Sequence, residues 1–149
     1  MGLWDSGIFH SYFGGFFKSE VVNPTSAIYF ASMNTEDFKN RTKAFALRVV
    51  RLTEALPKNQ TANVIGKQLL RCGTSVGANY RAACRARSNP EFIAKMGIVE
   101  EECAESMYWM ELIVEAGLME EKLIIDLKKE ANEILSMVVA SIKTARSRK

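Results

Sequence analysis

Apolar side chains return every three or four positions in four successive stretches between residues 35 and 144, and Pro57, Pro90 and Gly117 fall at the breaks between them. That period belongs to one face of an α-helix, whereas a half-buried strand alternates every second residue. The first helix is predicted from about Thr35 to Leu56, with Phe38, Thr42, Phe45, Val49, Leu52 and Leu56 facing inward and Pro57 ending it. The second begins near Thr61 and ends near Ala86 or Arg87, with Ile65, Leu69, Cys72, Val76, Asn79 and Ala83 inward. Gly66, Gly73, Thr74, Ser75 and Gly77 lower its helix propensity, which implies either a close helix approach or a local irregularity.

Ser88, Asn89 and Pro90 make the next helix start, since Asn can cap and Pro suits the first turn. The third helix carries Phe92, Met96, Val99, Cys103, Ser106, Met110 and Ile113 inward, and Gly117 is placed to end it. The fourth runs from about Glu120 to Thr144 with Ile124, Leu127, Ala131, Ile134, Val138 and Ser141 inward. Short connections between long helices predict an all-α fold, an antiparallel up-down-up-down four-helix bundle. With 149 residues, 48% of them hydrophobic, the chain has room for one such core.

Residues 1–32 break the pattern. They hold eight of the fourteen aromatic residues and four glycines. Asn34, Thr35, Glu36 and Asp37 after Met33 supply cap oxygens and N-terminal acids, so the bundle is assigned to residues 33–149. Residues 1–32 are then either a disordered or non-native extension or an aromatic docking peptide.

Charge is sorted by helix. Between Asn59 and Asn89 stand Lys67, Arg71, Arg81, Arg85 and Arg87 with no acid, while Pro90 to Ala116 holds seven glutamates and the single cation Lys95. Lys67, Arg71, Arg81 and Arg85 share one heptad stripe. Either these cations pair with glutamates of the third helix or of another subunit, which the adjacent acids favour, or they bind phosphates. The tail residues Lys143, Arg146, Arg148 and Lys149 have no acid beside them, so a nucleic-acid contact and a solvated tail stay level.

More large apolar residues are present than the inward stripes use, which predicts a homo-oligomer anchored by Tyr80, Tyr108 and Trp109. Asn79 on the inward stripe is expected to fix register as a buried polar group, with Ser75 or Ser106 as partner. The only histidine is His10, so the Glu-x-x-His pairs of di-iron bundles cannot be built, and no nucleophile has a base beside it. No enzyme, metal or cofactor is expected. Cys72, Cys84 and Cys103 show no C-x-x-C spacing, which suits a reducing cytoplasm, and no apolar run reaches the roughly 18 residues that span a bilayer.

The run Leu70-Arg71-Cys-Gly-Thr-Ser75-Val-Gly-Ala-Asn79-Tyr80-Arg-Ala-Ala-Cys-Arg-Ala-Arg87-Ser, then Glu91-Phe92 and Glu102-Cys-Ala-Glu105-Ser-Met-Tyr-Trp109, resembles the bacterial four-helix bundle family of 23S rRNA intervening sequence proteins. The resemblance covers residues 33–149. It implies a homopentamer arranged as a barrel, from a family first noticed as reading frames inside 23S rRNA gene insertions. A similar fold is that of the accessory protein of diversity-generating retroelements, a basic pentameric adaptor for a reverse transcriptase and nucleic acid. Where the family commonly has Asn-Ile-Ala-Glu-Gly this chain has Asn79-Tyr80-Arg81-Ala82-Ala83, which removes an acid and a glycine and adds a cation. The expected partners are therefore further copies of the chain and structured RNA or a ribonucleoprotein, held by Arg71, Arg81, Arg85, Arg87 and the basic tail. The alternative is a protein scaffold whose basic helix serves subunit pairing.

Overall fold

The structure, a computed structural model, describes residues 33–147. The aromatic segment 1–32 with His10, and the tail residues Arg148 and Lys149, lie outside the described residues. Four helices follow in order: α1 (Thr35–Glu54), α2 (Gln60–Ala83), α3 (Asn89–Glu115) and α4 (Glu121–Ser147). Among the described residues there is no strand, and no helix is long and apolar enough to cross a membrane.

Each start has a local cause. Asn34 and Asp37 form a capping box: the Asp37 amide donates to Asn34 Oδ1 at 2.9 Å and the Asn34 amide to Asp37 Oδ2 at 3.3 Å. Asn59 caps α2 through the Ala62 amide at 2.9 Å. At α3 the cap is Ser88 rather than Asn89, with Ser88 Oγ accepting from the Glu91 amide at 3.3 Å. Asn89 is released for a different task, described below. Gly117 ends the third helix at φ +66, a conformation that only glycine adopts without strain.

The inward faces of α1, α3 and α4 are those the periodicity predicts: Phe38, Phe45 and Val49, then Phe92, Met96, Cys103 and Met110, then Ile124, Leu127 and Ile134 are all buried. Helix α4 also buries Met137, Ala140, Ile142 and Ala145, so its apolar stripe is wider near its end. Helix α2 differs. Ile65 and Asn79 are only half-buried, and Ala62, Gly66, Gly73, Gly77 and Tyr80 join Leu69, Cys72, Val76 and Ala83 inside.

The cause is steric. A Cβ on Gly73 would lie 2.8 Å from both γ-carbons of Val49, one on Gly66 would lie 3.0 Å from Leu56, and one on Gly77 would lie 3.4 Å from Thr42. The glycines let α1 lie close against α2 and turn the buried face of α2 toward it. The helix runs unbroken through all three, so the soft middle is a close approach and not an irregularity.

The helices share one core. Each packs against its chain neighbours, and α1 also meets α4, while α1 and α3 make no extensive contact. The α1–α4 seam carries a charged clip. Arg41 Nε donates to Glu130 Oε1 at 2.7 Å, Arg41 Nη2 to Glu130 Oε2 at 3.0 Å, and Arg41 also pairs with Glu133. The Arg41 side chain is only 14% exposed, so this fork is screened from solvent.

Candidate nucleic-acid interface

Arg71 sits on the flank of α2 that faces α3. Its Nη2 donates to Glu105 Oε1 at 2.6 Å, and its Nη1 lies 3.5 Å from Glu102 Oε1. The indole N–H of Trp109 donates to the same Glu105 oxygen at 3.1 Å. That indole and then the guanidinium hold the Glu105 carboxyl below the usual carboxylate range. Glu102 moves the other way: burial pushes it up, and its Oε2 is buried with no hydrogen-bond partner. Among the arginines proposed to bind phosphate, Arg71 is therefore bound to the acids of α3 and stands apart from the others.

The remaining cations gather at one end. Arg81 is half-buried in the last turn of α2, and Arg85 and Arg87 are exposed on the connection to α3. The Arg87 amide donates to Glu91 Oε2 at 2.8 Å, which fixes the connection and lowers the Glu91 carboxyl. Asn89 Nδ2 donates to the Ala145 carbonyl at 2.8 Å, so the final turns of α4, with Lys143 and Arg146 exposed, lie beside this connection. The side chains of Arg81, Arg85 and Arg87 form no ion pair among the described residues. Lys39 of α1 joins the same end, since its charge acts with those of Arg81 and Arg85 on the Cys84 thiol. Nothing in the sequence pattern singled out Lys39, because its local partner is Glu36 at 3.2 Å.

Two sequence expectations are corrected here. Tyr80 cannot anchor a partner, because it is fully buried, with its ring edge-on to Phe38 at 4.6 Å and 85°. Close packing of α1 on the glycines of α2 draws it inside. Asn79 and Ser75 are not buried core polar groups. Both are half-buried and bonded within α2, Asn79 Nδ2 to the Ser75 carbonyl at 3.0 Å and Ser75 Oγ to the Arg71 carbonyl at 2.8 Å. The buried polar residues are Thr42, Ser106 and Ser141. Ser106 Oγ donates to the Glu102 carbonyl at 2.7 Å and lies 3.2 Å from Cys72 Sγ. Of the other expected anchors, Trp109 is half-buried against the core, while Tyr108 is 52% exposed and stacks edge-on to it at 5.1 Å.

The three thiols are buried. Burial pushes Cys72 and Cys84 up and Cys103 to about 12, so all three are held protonated near neutrality.

Four helices around one apolar core, with cations gathered at one end and glutamates along α3, define an all-α protein with sorted surface charge. The profile of the family described as 23S rRNA-intervening sequence protein matches residues 35–140, and the chain belongs to that family. Among solved structures, the chain is similar to a protein of unknown function from the S23 ribosomal protein family of Bacteroides thetaiotaomicron VPI-5482. The two are 34% identical over 73% of this chain and 97% of that one, with a TM-score of 0.68. No curated protein matches the chain.

Proposed function

We propose that this protein is a non-enzymatic, cytoplasmic, oligomeric up-down-up-down bundle that binds structured RNA, alone or within a ribonucleoprotein, through its basic end. Antiparallel neighbours are supported by paired positions: Leu56 just after α1, and Val49 and Thr42 within it, meet Gly66, Gly73 and Gly77 of α2, so one number falls as the other rises. In the same way Cys103 and Asn89 of α3 bond to Ala131 and Ala145 of α4. A homo-oligomer, five-membered by family resemblance, is supported by the exposed Leu47, Val64, Leu70, Ile98, Tyr108 and Leu123.

The single observation that carries the RNA reading is the Asn89–Ala145 bond. It holds the end of α4, which carries Lys143 and Arg146, beside the α2–α3 connection that carries Arg85 and Arg87 and follows Arg81, and this supports a shared basic surface. Positive charge focused this way suits a phosphate backbone. The test is retention of 23S rRNA fragments by the full chain as salt is raised. Arg85→Gln with Arg87→Gln should weaken binding across RNA sequences and lower the salt slope by about 1 to 2. No retention at about 50 mM salt would remove the RNA role.

The commitment of Arg71 to Glu102 and Glu105 favours a second reading, in which the basic helix serves packing and the true partner is a protein. Reversing Arg81 and Arg85 to glutamate separates the two. Loss of the oligomer supports the scaffold, and an intact oligomer with lost RNA affinity supports the first reading.

A further inference from the structure

Four glycines lie inside the described helices, and three of them are explained within the chain, where Gly73 and Gly77 receive α1 and Gly66 receives Leu56 just after it. Gly97 is the exception. It stands inside α3 without a positive φ, and a Cβ there would meet nothing within 4 Å among the described residues. A glycine inside a helix weakens it, and no neighbour among the described residues accounts for this one.

The surroundings of Gly97 point outward too. Ile98 is 43% exposed, Tyr108 is 52% exposed, and Glu101 is exposed between them without an ion pair among the described residues. Positions 97, 101 and 108 share one face by helical spacing, with Ile98 on its flank. The face is apolar at both ends, acidic in the middle and open at Gly97 to close backbone approach.

We propose that this face of α3 receives a second copy of the chain, through the outer face of that copy's α1. The outer face of α1 carries Lys43, Leu47 and Arg51 at steps of four, with Arg48 beside them. Leu47 is 50% exposed, and Lys43, Arg48 and Arg51 form no ion pair among the described residues. Three cations around a leucine complement an acid between an isoleucine and a tyrosine. Pairing α3 with α3 would instead set Glu101 against its own copy, which like charge disfavours. Helices α1 and α3 each pack on α2 and α4 but not extensively on each other, so the donor and acceptor faces lie on different flanks. Copies then join head to tail, and the contact repeats. Gly97 does between copies what Gly77 does within one, where the Thr42 carbonyl of α1 lies against it: it admits the backbone of α1.

This inference rests on the oligomeric part of the proposed function and not on RNA binding. The test is sedimentation velocity of the full chain, with circular dichroism to confirm helix content. Gly97→Leu should keep its helix signal and weaken self-association at least tenfold. Glu101→Arg and Arg51→Glu should each do the same, and an equimolar mixture of those two should restore association between unlike copies, because each keeps one native face and the two reversed faces attract; a five-membered ring would retain one mismatched contact, so the rescue is read as association and not as ring closure. If Gly97→Leu loses its helices, the charge-swap pair decides alone. An oligomer untouched by Glu101→Arg, or a mixture that stays dissociated, overturns this face. A wild-type chain that sediments as a monomer overturns the oligomer altogether, whereas lost RNA retention with the oligomer intact overturns only the RNA reading.

Discussion

Glu102 and Glu105 stand three residues apart on α3 and share Arg71, yet their carboxyls are driven in opposite directions. Glu105 takes hydrogen bonds from Trp109 and Arg71 and is depressed, whereas Glu102 is raised by burial, its side chain being only 16% exposed. A depressed carboxyl stabilises the fold above its unfolded value of about 4.3, and that contribution is lost as pH falls through the folded value. A raised carboxyl works the other way, opposing the fold as pH rises past the unfolded value. Glu105→Gln should therefore lower stability at pH 7 by about 0.5 to 1 kcal/mol, the range of a part-exposed pair. In urea denaturation the difference should narrow on acidification below about pH 4; a difference that ignores pH would deny Glu105 this role. The same pair shows why this contact was half legible in the sequence. The adjacent cationic and acidic runs announced a pairing, but which arginine would be used depended on the three-dimensional flank of α2.

Element by element, legibility followed what the side chains can signal. The stripes of α1, α3 and α4 are written in large apolar residues and emerged in place, as did the stop at Gly117. The buried face of α2 is written in glycine, which carries no hydrophobic signal, so the pattern pointed to Asn79 while the structure buried Tyr80. Gly73→Ala tests the steric account. Its Cβ would press on Val49, whose branched side chain cannot swing aside, so a loss of about 1 to 3 kcal/mol is expected in denaturant melts. A neutral or stabilising change at that position would mean the α1–α2 approach is looser than described. The basic end was legible as a set of residues but not as a place, because the bond that assembles it joins Asn89 to Ala145 across 56 positions.

For the molecule as a whole, the closing seam is the thin one: α1 meets α4 far less than it meets α2, and Arg41 bridges the gap. No local pattern in the sequence announced this clip, since Arg41 and Glu130 are 89 residues apart. Removing Arg41 leaves Glu130 facing the seam without its partner, a loss that exceeds the value of the pair itself. Arg41→Met should therefore destabilise by about 2 to 4 kcal/mol at neutral pH, seen as a lower Tm with unchanged helix content at low temperature. A variant as stable as the parent would show that the apolar seam closes without help. The sulfur atoms give that closure a chemical signature. Cys72 and Cys103 lie at the centre, and Cys84 lies beside the cationic end. An electrophile can find Cys72 and Cys103, both fully buried, only when helices part, so a covalent adduct at either becomes a memory of the core having come open.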